Sequence, residues 1–270
     1  MYFQLTDSFY TDISSDVNNL ICNLHIAVYN DVTLNSWNER NVMSGQISFQ
    51  VKLLVKVTKF HFCGGSALYG NYVLTAAHCV NDKNATDIIV IAGDIINKKR
   101  IFSHEIEKVI IHKEFNRDGH WENDIAVLKL KMYFELTPWI KKIRLPNVND
   151  SYNPSSTFVI SGWGGNHGQL SMINTFQQAE LLIADQSYCE QVYGMFGINI
   201  SDKNLCAFDP QSPRGPCHGD DGGPLSSDTA VVGILSFVVS CVEYKYPAIF
   251  TRVLSYLDWI DENTTDGRLY

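Results

Sequence analysis

From about residue 46 onwards, the sequence consists of short apolar, often β-branched segments separated by glycine, asparagine, aspartate and proline. These segments are ISFQVKLLVKV (47–57), IIVIAGD (88–94), KVIIHKEF (108–115), DIAVLKL (124–130), TFVISGWG (157–164), AELLIA (179–184) and VVGILSFVV (231–239). Many short strands at this spacing are typical of β-sandwiches and β-barrels, so the chain is predicted to be all-β. One late helix is predicted at 253–263, where Leu254, Leu257 and Ile260 repeat at helical spacing.

The charge and the apolar runs exclude two classes of partner. The 21 basic and 29 acidic residues give a net charge of −8, which argues against nucleic acid and weakly against an anionic membrane. No apolar run approaches the roughly 20 residues that a membrane helix needs. A stretch rich in proline, asparagine and serine at 144–156 predicts the break between two halves of the chain.

Seven cysteines and four N-glycosylation sequons, at Asn84, Asn149, Asn199 and Asn263, indicate an oxidising, secreted context. The N-terminal sequence does not have the pattern of a secretory signal peptide, because residues 1–38 lack lysine and arginine and the apolar stretch at 20–29 is interrupted. Secretion is therefore expected from the cysteines and sequons. The signal either is missing from this chain or has a form that the sequence does not reveal.

Three motifs bring together the residue types that acyl transfer needs. LTAAHCV places His78 beside Cys79, NDIAVLKL places Asp124 at the head of a strand, and GPCHGDDGGPL (215–225) forms a glycine-rich turn. In such a set the histidine is a base, the aspartate orients it, and the turn holds a nucleophile beside two backbone N–H groups.

These motifs, with SGWG (161–164) and YPAIFTRV (246–253), resemble the chymotrypsin/trypsin-like serine proteases over roughly residues 45–263. The C-terminal half is most similar to insect chymotrypsin-like members. The resemblance implies two six-stranded antiparallel β-barrels, at about 45–145 and 146–252, and a C-terminal α-helix. These elements would lie in a domain of residues 45–270, after a propeptide-like segment, 1–44.

The resemblance also assigns roles within the motifs. His78 corresponds to the general base and Asp124 to the residue that fixes its tautomer, while the N–H groups of Gly219 and Asp221 would form the oxyanion hole. The nucleophile position falls on Asp221, where the family has serine. A carboxylate is a poor attacker of amides, and its charge would repel the negative charge of a tetrahedral intermediate. We therefore expect a non-catalytic homologue that acts by binding, the alternatives being weak or different hydrolytic activity and a decaying gene copy.

Two further departures point the same way. The family's activation junction falls near Asn35–Ser36, with no basic residue before it and no Ile-Val after it. Asp220 would then lack an ammonium partner, and we expect it to turn to His61, as in the family's zymogens. The base of the specificity pocket falls on Gly215 and the walls on Val238 and Ala248. Side chains on the walls predict small apolar ligand residues; relaxed selection on an unused pocket is equally compatible.

The resemblance implies three disulfides, Cys63–Cys79, Cys189–Cys206 and Cys217–Cys241. It leaves Cys22 as a free thiol, an intermolecular bridge or part of a mispredicted N-terminus. A metal site of His78, Asp124 and Asp221 fits by ligand type, but Asp124 in the family is engaged with the histidine, so neither metal nor cofactor is expected.

The expected partner is a protein or peptide, bound by a monomer through the former substrate cleft or surface loops. NKKR (97–100) and KKIR (141–144) are interpreted as solvated loops, with a polyanion or partner site as the alternative.

Overall fold

The structure is a computed structural model that describes residues 42–94, 96, 99–116, 121–164, 176–211, 215–241 and 245–264, without the side chain of Lys99. All of these residues belong to one compact unit, Asn35–Tyr270. Cys22 and the predicted junction at Asn35–Ser36 lie outside the described residues, and so does most of the predicted propeptide-like segment. No helix in the described ranges is both long enough and apolar enough to span a membrane.

Six strands close the first antiparallel barrel in the order β1-β2-β3-β6-β5-β4. They are β1 (Gln50–Val55), β2 (His61–Ala67), β3 (Tyr72–Thr75), β4 (Ile88–Asp94), β5 (Lys99–Ile111) and β6 (Ala126–Leu130). Their inward-facing side chains include Leu53, Val73, Val90 and Leu128, all fully buried. Closure removes the free strand edges that an open sheet of this kind would expose.

The second barrel repeats this architecture in the order β10-β11-β12-β9-β8-β7. Its strands are β7 (Thr157–Gly162), β8 (Gln177–Ile183), β9 (Asn204–Phe208), β10 (Pro224–Ser226), β11 (Val231–Phe237) and β12 (Ala248–Arg252). Ile160, Leu181, Leu235 and Phe250 lie fully buried in its core. The predicted fold of two six-stranded antiparallel barrels is confirmed.

The described helices are α1 (Ala77–Val80), α2 (Gln186–Gly194) and α3 (Leu257–Thr264), with 3₁₀ turns at Ala85–Asp87 and Val253–Tyr256. The predicted late helix is confirmed, but its buried face differs. Val253, Tyr256 and Ile260 are buried, whereas Leu254 and Leu257 remain partly exposed. The cause is the initial 3₁₀ turn, which has three residues per turn and so aligns Val253 with Tyr256.

Three disulfides form as the resemblance implied: Cys63–Cys79, Cys189–Cys206 and Cys217–Cys241. The first joins β2 to α1, the second joins α2 to β9, and the third joins the glycine-rich turn to the segment after β11. The first and third bridges therefore hold the two segments that carry the candidate site.

Candidate active site

His78 and Asp124 form the hydrogen-bonded pair that the sequence predicted. The Nδ1 atom of His78 lies 2.7 Å from Oδ2 of Asp124, and the His78 backbone N–H donates to Oδ1 over 2.8 Å. The Ser236 hydroxyl donates to Oδ2 over 2.6 Å. Asp124 is fully buried, just before β6. These donors leave its carboxylate one orientation, which fixes the imidazole ring beside it.

The glycine-rich turn lies between the two barrels. The Gly64 N–H on β2 donates to the Asp221 carbonyl over 2.7 Å, and the Gly222 N–H donates to Leu235 on β11 over 2.8 Å. Gly222 has a φ of +73°, and a Cβ there would lie 2.3 Å from the Thr75 hydroxyl oxygen. A glycine is therefore required both by the left-handed backbone and by the close approach of β3.

The glycine-rich turn carries Asp221, the residue that the resemblance assigns to the nucleophile position. Burial raises the pKa of Asp221, whereas the nearby His78 and His218 and a hydrogen bond from the Gly219 backbone N–H lower it. The carboxyl thus interacts with the candidate base and with an N–H assigned by resemblance to the oxyanion hole.

Asp220 is held in a cradle of backbone. Only 1% of its surface is exposed, and its two carboxylate oxygens accept from the N–H groups of Gly164 (2.7 Å) and Cys217 (3.0 Å). A Cβ on Gly162 or Gly164 would come within 1.8 or 2.1 Å of this carboxylate, which explains the glycines of SGWG. Burial raises the pKa of Asp220 to about 7. Within the described ranges, no lysine, arginine or histidine forms an ion pair with it.

The structure does not form the predicted zymogen-type pair between Asp220 and His61. The Nε2 atom of His61 lies 2.8 Å from the Cys63 carbonyl, and its buried Nδ1 has no hydrogen-bond partner. Burial lowers the pKa of His61 to about 4, with Lys52 contributing in the same direction. A neutral imidazole held by its own strand has little tendency to reach a carboxylate that two N–H groups already bind.

The predicted pocket residues lie on the second barrel. Ala248 is buried on β12, and Val238 packs against the same core of the second barrel. Both positions therefore carry apolar side chains where open-pocket members of the family have glycine. Gly215 is buried, yet a Cβ on it would contact nothing within 4 Å. Space therefore remains at the predicted base, while the walls carry apolar groups. The role of these residues as a specificity pocket stays a prediction.

Sequence reasoning missed an aromatic wall beside His78. The Trp121 ring stacks on Phe237 at a centroid distance of 5.2 Å and meets the His78 ring edge-on at 5.6 Å. Trp121 has a φ of +59°, a left-handed conformation that bulky residues rarely adopt. The only available signal was its position three residues before Asp124. Ser236 was missed as well, although it supplies a donor to the same carboxylate.

A cluster of Cys63, His78 and Cys79 has potential ligand atoms within 4.8 Å of one another and is the only such group in the part of the chain that the structure describes. Both sulfurs are consumed by the Cys63–Cys79 disulfide, so this cluster has no thiolate to bind a metal.

The chain was compared with protein-family models, curated proteins and solved structures. The family model described as Trypsin matches residues 36–260. The chain is 33% identical to "Chymotrypsin-2" of Vespa crabro over 219 residues, 81% of this chain and 95% of the relative. It is 30% identical to "Trypsin Blo t 3" of Blomia tropicalis over 223 residues, 82% of each chain. A solved structure of neuropsin, a serine protease expressed in the limbic system of mouse brain, superposes with a TM-score of 0.75. That comparison has 27% identity and covers 84% of this chain and 98% of the other.

Proposed function

The chain belongs to the trypsin-like serine protease family, and we propose that it is a secreted member that has lost proteolysis and acts by binding. One observation carries this proposal. The family's base and orienting residue are present as the His78–Asp124 pair, but the glycine-rich turn presents the Asp221 carboxyl to them instead of a hydroxyl. The scaffold of the reaction is therefore kept without its nucleophile.

The chemistry of a carboxylate explains why this one exchange is sufficient. A serine hydroxyl becomes nucleophilic when the histidine removes its proton. Asp221 has no hydroxyl to activate, and attack on an amide would produce a mixed anhydride. Removing the nucleophile from such a triad costs on the order of 10⁶-fold in turnover, since its members act as a unit.

Asp220 supports the same conclusion from a second direction. Active relatives pair this aspartate with the ammonium of a new N-terminus, which the sequence of this chain is not expected to provide. Its carboxyl instead has a pKa of about 7 and rests on backbone N–H groups. The lack of that ion pair supports the loss of proteolysis, because the family's activation forms it.

The binding surface that we propose is the former substrate cleft. Trp121 and Phe237 form an apolar wall next to His78, and Val238 and Ala248 narrow the adjoining pocket. Such walls favour an extended peptide with small apolar side chains, from an inhibitor, a substrate-like segment or a member of a protease cascade. Binding without cleavage would sequester that segment.

The extracellular location rests on covalent features. Three disulfides are formed, and such bridges persist in oxidising compartments. The sequon residues Asn84, Asn149 and Asn199 are exposed, as glycan attachment requires. These features support secretion of the mature chain.

The test is a comparison of three proteins: the unmodified chain, Asp221→Ser and Asp221→Ser/His78→Ala. Each is assayed on chymotrypsin-type and elastase-type peptide substrates. We expect no turnover by the unmodified chain. If Asp221→Ser is active and the double variant is not, the loss of proteolytic activity is explained by the Asp221 side chain alone. Activity in neither variant would assign part of it to Asp220 and the narrowed pocket. Turnover by the unmodified chain above the rate of the substrate without enzyme would refute the proposal and favour a hydrolase with weak or different activity.

A further inference from the structure

Arg100 of the first basic cluster meets Trp139, which lies next to the second basic cluster, on the surface of the first barrel. Arg100 is the last residue of NKKR and the second residue of β5. One residue, Ile140, separates Trp139 from KKIR. The Arg100 guanidinium lies over the Trp139 ring, 4.2 Å from its centroid. Residues some forty positions apart are thereby joined into one surface.

The surface continues along residues 139–144. The Lys141 N–H donates to Ser48 and the Ile143 N–H to Ala67, each over 3.0 Å, which fixes this segment against the barrel. Lys142 lies over the Tyr69 ring at 5.0 Å from its centroid. We define the basic-aromatic face as Arg100, Trp139, Lys141, Lys142 and Tyr69. Six residues of chain, 139–144, can span at most about 20 Å.

Among the described residues, no acidic side chain forms an ion pair with a cation of this face. In the described ranges, the ion pairs of lysine and arginine involve Lys56, Lys129 and Lys131, and none involves Arg100, Lys141 or Lys142. Asp94 lines the same depression as Trp139, but it is buried and accepts from the Ser44 hydroxyl. Positive charge therefore remains open to solvent on a chain whose net charge is −8.

The backbone is distorted where it presents Arg100. The pairing of β4 with β5 shifts register between Gly93 and Asp94, which is the signature of a β-bulge. Arg100 has a φ of +55°, a left-handed conformation that costs a non-glycine residue about 1–2 kcal/mol. Bulges of this kind redirect side chains and are frequent beside functional sites. Here the bulge directs the guanidinium onto the tryptophan.

We propose that the basic-aromatic face binds a sulfated linear polysaccharide. Arginine and lysine recognise sulfate oxygens as they recognise phosphate, and clustered basic residues are a recognised feature of heparin-binding patches. The partly exposed rings of Tyr69 and Trp139 add apolar surface on which sugar rings pack, a feature that favours a polysaccharide over an acidic peptide. The choice of a sulfated polysaccharide among polyanions rests on the extracellular location proposed above. Binding at this face requires neither the substrate cleft nor proteolytic activity.

The test measures binding of size-defined heparin oligosaccharides to the purified full chain as a function of salt. The test variant is Arg100→Gln/Lys142→Gln. The matched control, Lys56→Gln/Lys131→Gln, removes the same charge from lysines that Glu105 already holds at 2.6 and 2.8 Å. Thermal unfolding confirms that both variants remain folded. We expect the test variant to lose roughly tenfold in affinity near physiological salt, and the dependence of log K on log salt to weaken by about two. The control should bind like the unmodified chain.

Each other outcome overturns the proposal. No binding by the unmodified chain near physiological salt, or equal losses in both variants, would show that the face is only a solvated surface. If chemically desulfated heparin binds as tightly as heparin, the face does not recognise sulfate groups. Polyglutamate that binds as tightly as heparin would assign the face to acidic proteins. None of these results depends on whether the cleft hydrolyses or binds peptides, because substrate assays are run separately.

Discussion

The substitution Asp220→Asn tests whether the protein buries the Asp220 carboxyl without a cation to pair with it. In the folded chain its pKa is raised to about 7, from an ordinary value of 3.8, because burial removes its solvation. Below about pH 4 both folded and unfolded states hold the proton. Between about pH 4 and pH 7 only the folded state holds it, so stability falls as pH rises, and above about pH 7 the loss is complete.

The size of this effect follows from the same values. A displacement from 3.8 to about 7 corresponds to about 4 kcal/mol of stability lost between low and neutral pH. Asparagine keeps the shape but does not ionise. It also leaves the Cys217 N–H without an acceptor, a loss of about 1–3 kcal/mol that does not depend on pH. We therefore expect the variant to gain about 4 kcal/mol on the unmodified chain between about pH 4 and pH 8.

The assay is urea unfolding with disulfides intact across this pH range, with the exposed Asp228→Asn as control. Because the difference between two proteins is compared, pH effects of other groups largely cancel. A difference that stays constant with pH would refute the reasoning. A difference of opposite slope, with Asp220→Asn losing stability as pH rises, would show that a cation from outside the described residues neutralises Asp220.

Two further substitutions test the local structure of the site. Gly222→Ala combines a φ of +73° with a Cβ 2.3 Å from the Thr75 hydroxyl, so it should lower the free energy of unfolding by several kcal/mol. Gly197→Ala, at +71° with open space, should lower it by only about 1 kcal/mol. Equal losses for the two variants in chemical unfolding would contradict this argument. Ser236→Ala removes the 2.6 Å hydrogen bond to the buried Asp124 carboxylate and should cost about 1.5–3 kcal/mol. Unchanged stability there would mean that the remaining donors suffice.

The barrels were predictable because strand signals are local. The segment at 88–94 coincides with β4, and those at 124–130 and 157–164 differ from β6 and β7 only at their ends. Five strands, β2, β3, β9, β10 and β12, were not among the predicted segments. In β2 and β9, glycine or other small residues in HFCGGSA and NLCAF hide the periodicity. Their conformation is imposed by pairing with neighbours.

Helix α2 was missed for a different reason. Its buried face has only three residues, Cys189, Val192 and Tyr193, too few to stand out in the sequence. An Asp185 cap that accepts from the Ser187 N–H and the disulfide of Cys189 add further support. An N-cap is visible in sequence only once a helix is suspected. The disulfide was predicted by resemblance, but a bridge does not specify the conformation of the residues that it joins.

The candidate site was predictable where motifs carry it and not where packing decides. The His78–Asp124 pair and the position of Asp221 followed from motif order. The direct contact between His61 and Asp220 did not form: Nε2 of His61 bonds to the Cys63 carbonyl, and the Asp220 carboxylate accepts from the N–H groups of Gly164 and Cys217. The wall formed by Trp121 lies outside any motif and depends on a left-handed residue that sequence does not reveal.

The central claim is that a carboxyl in place of the nucleophilic hydroxyl removed amide hydrolysis from a scaffold that keeps the His78–Asp124 pair. The most direct measurement is the kcat/KM of the unmodified chain for a peptide amide, divided by that of His78→Ala under the same conditions. The account predicts a ratio near one, because a base without a nucleophile has nothing to activate. A ratio on the order of 10³ or more would show a working catalytic histidine and contradict it.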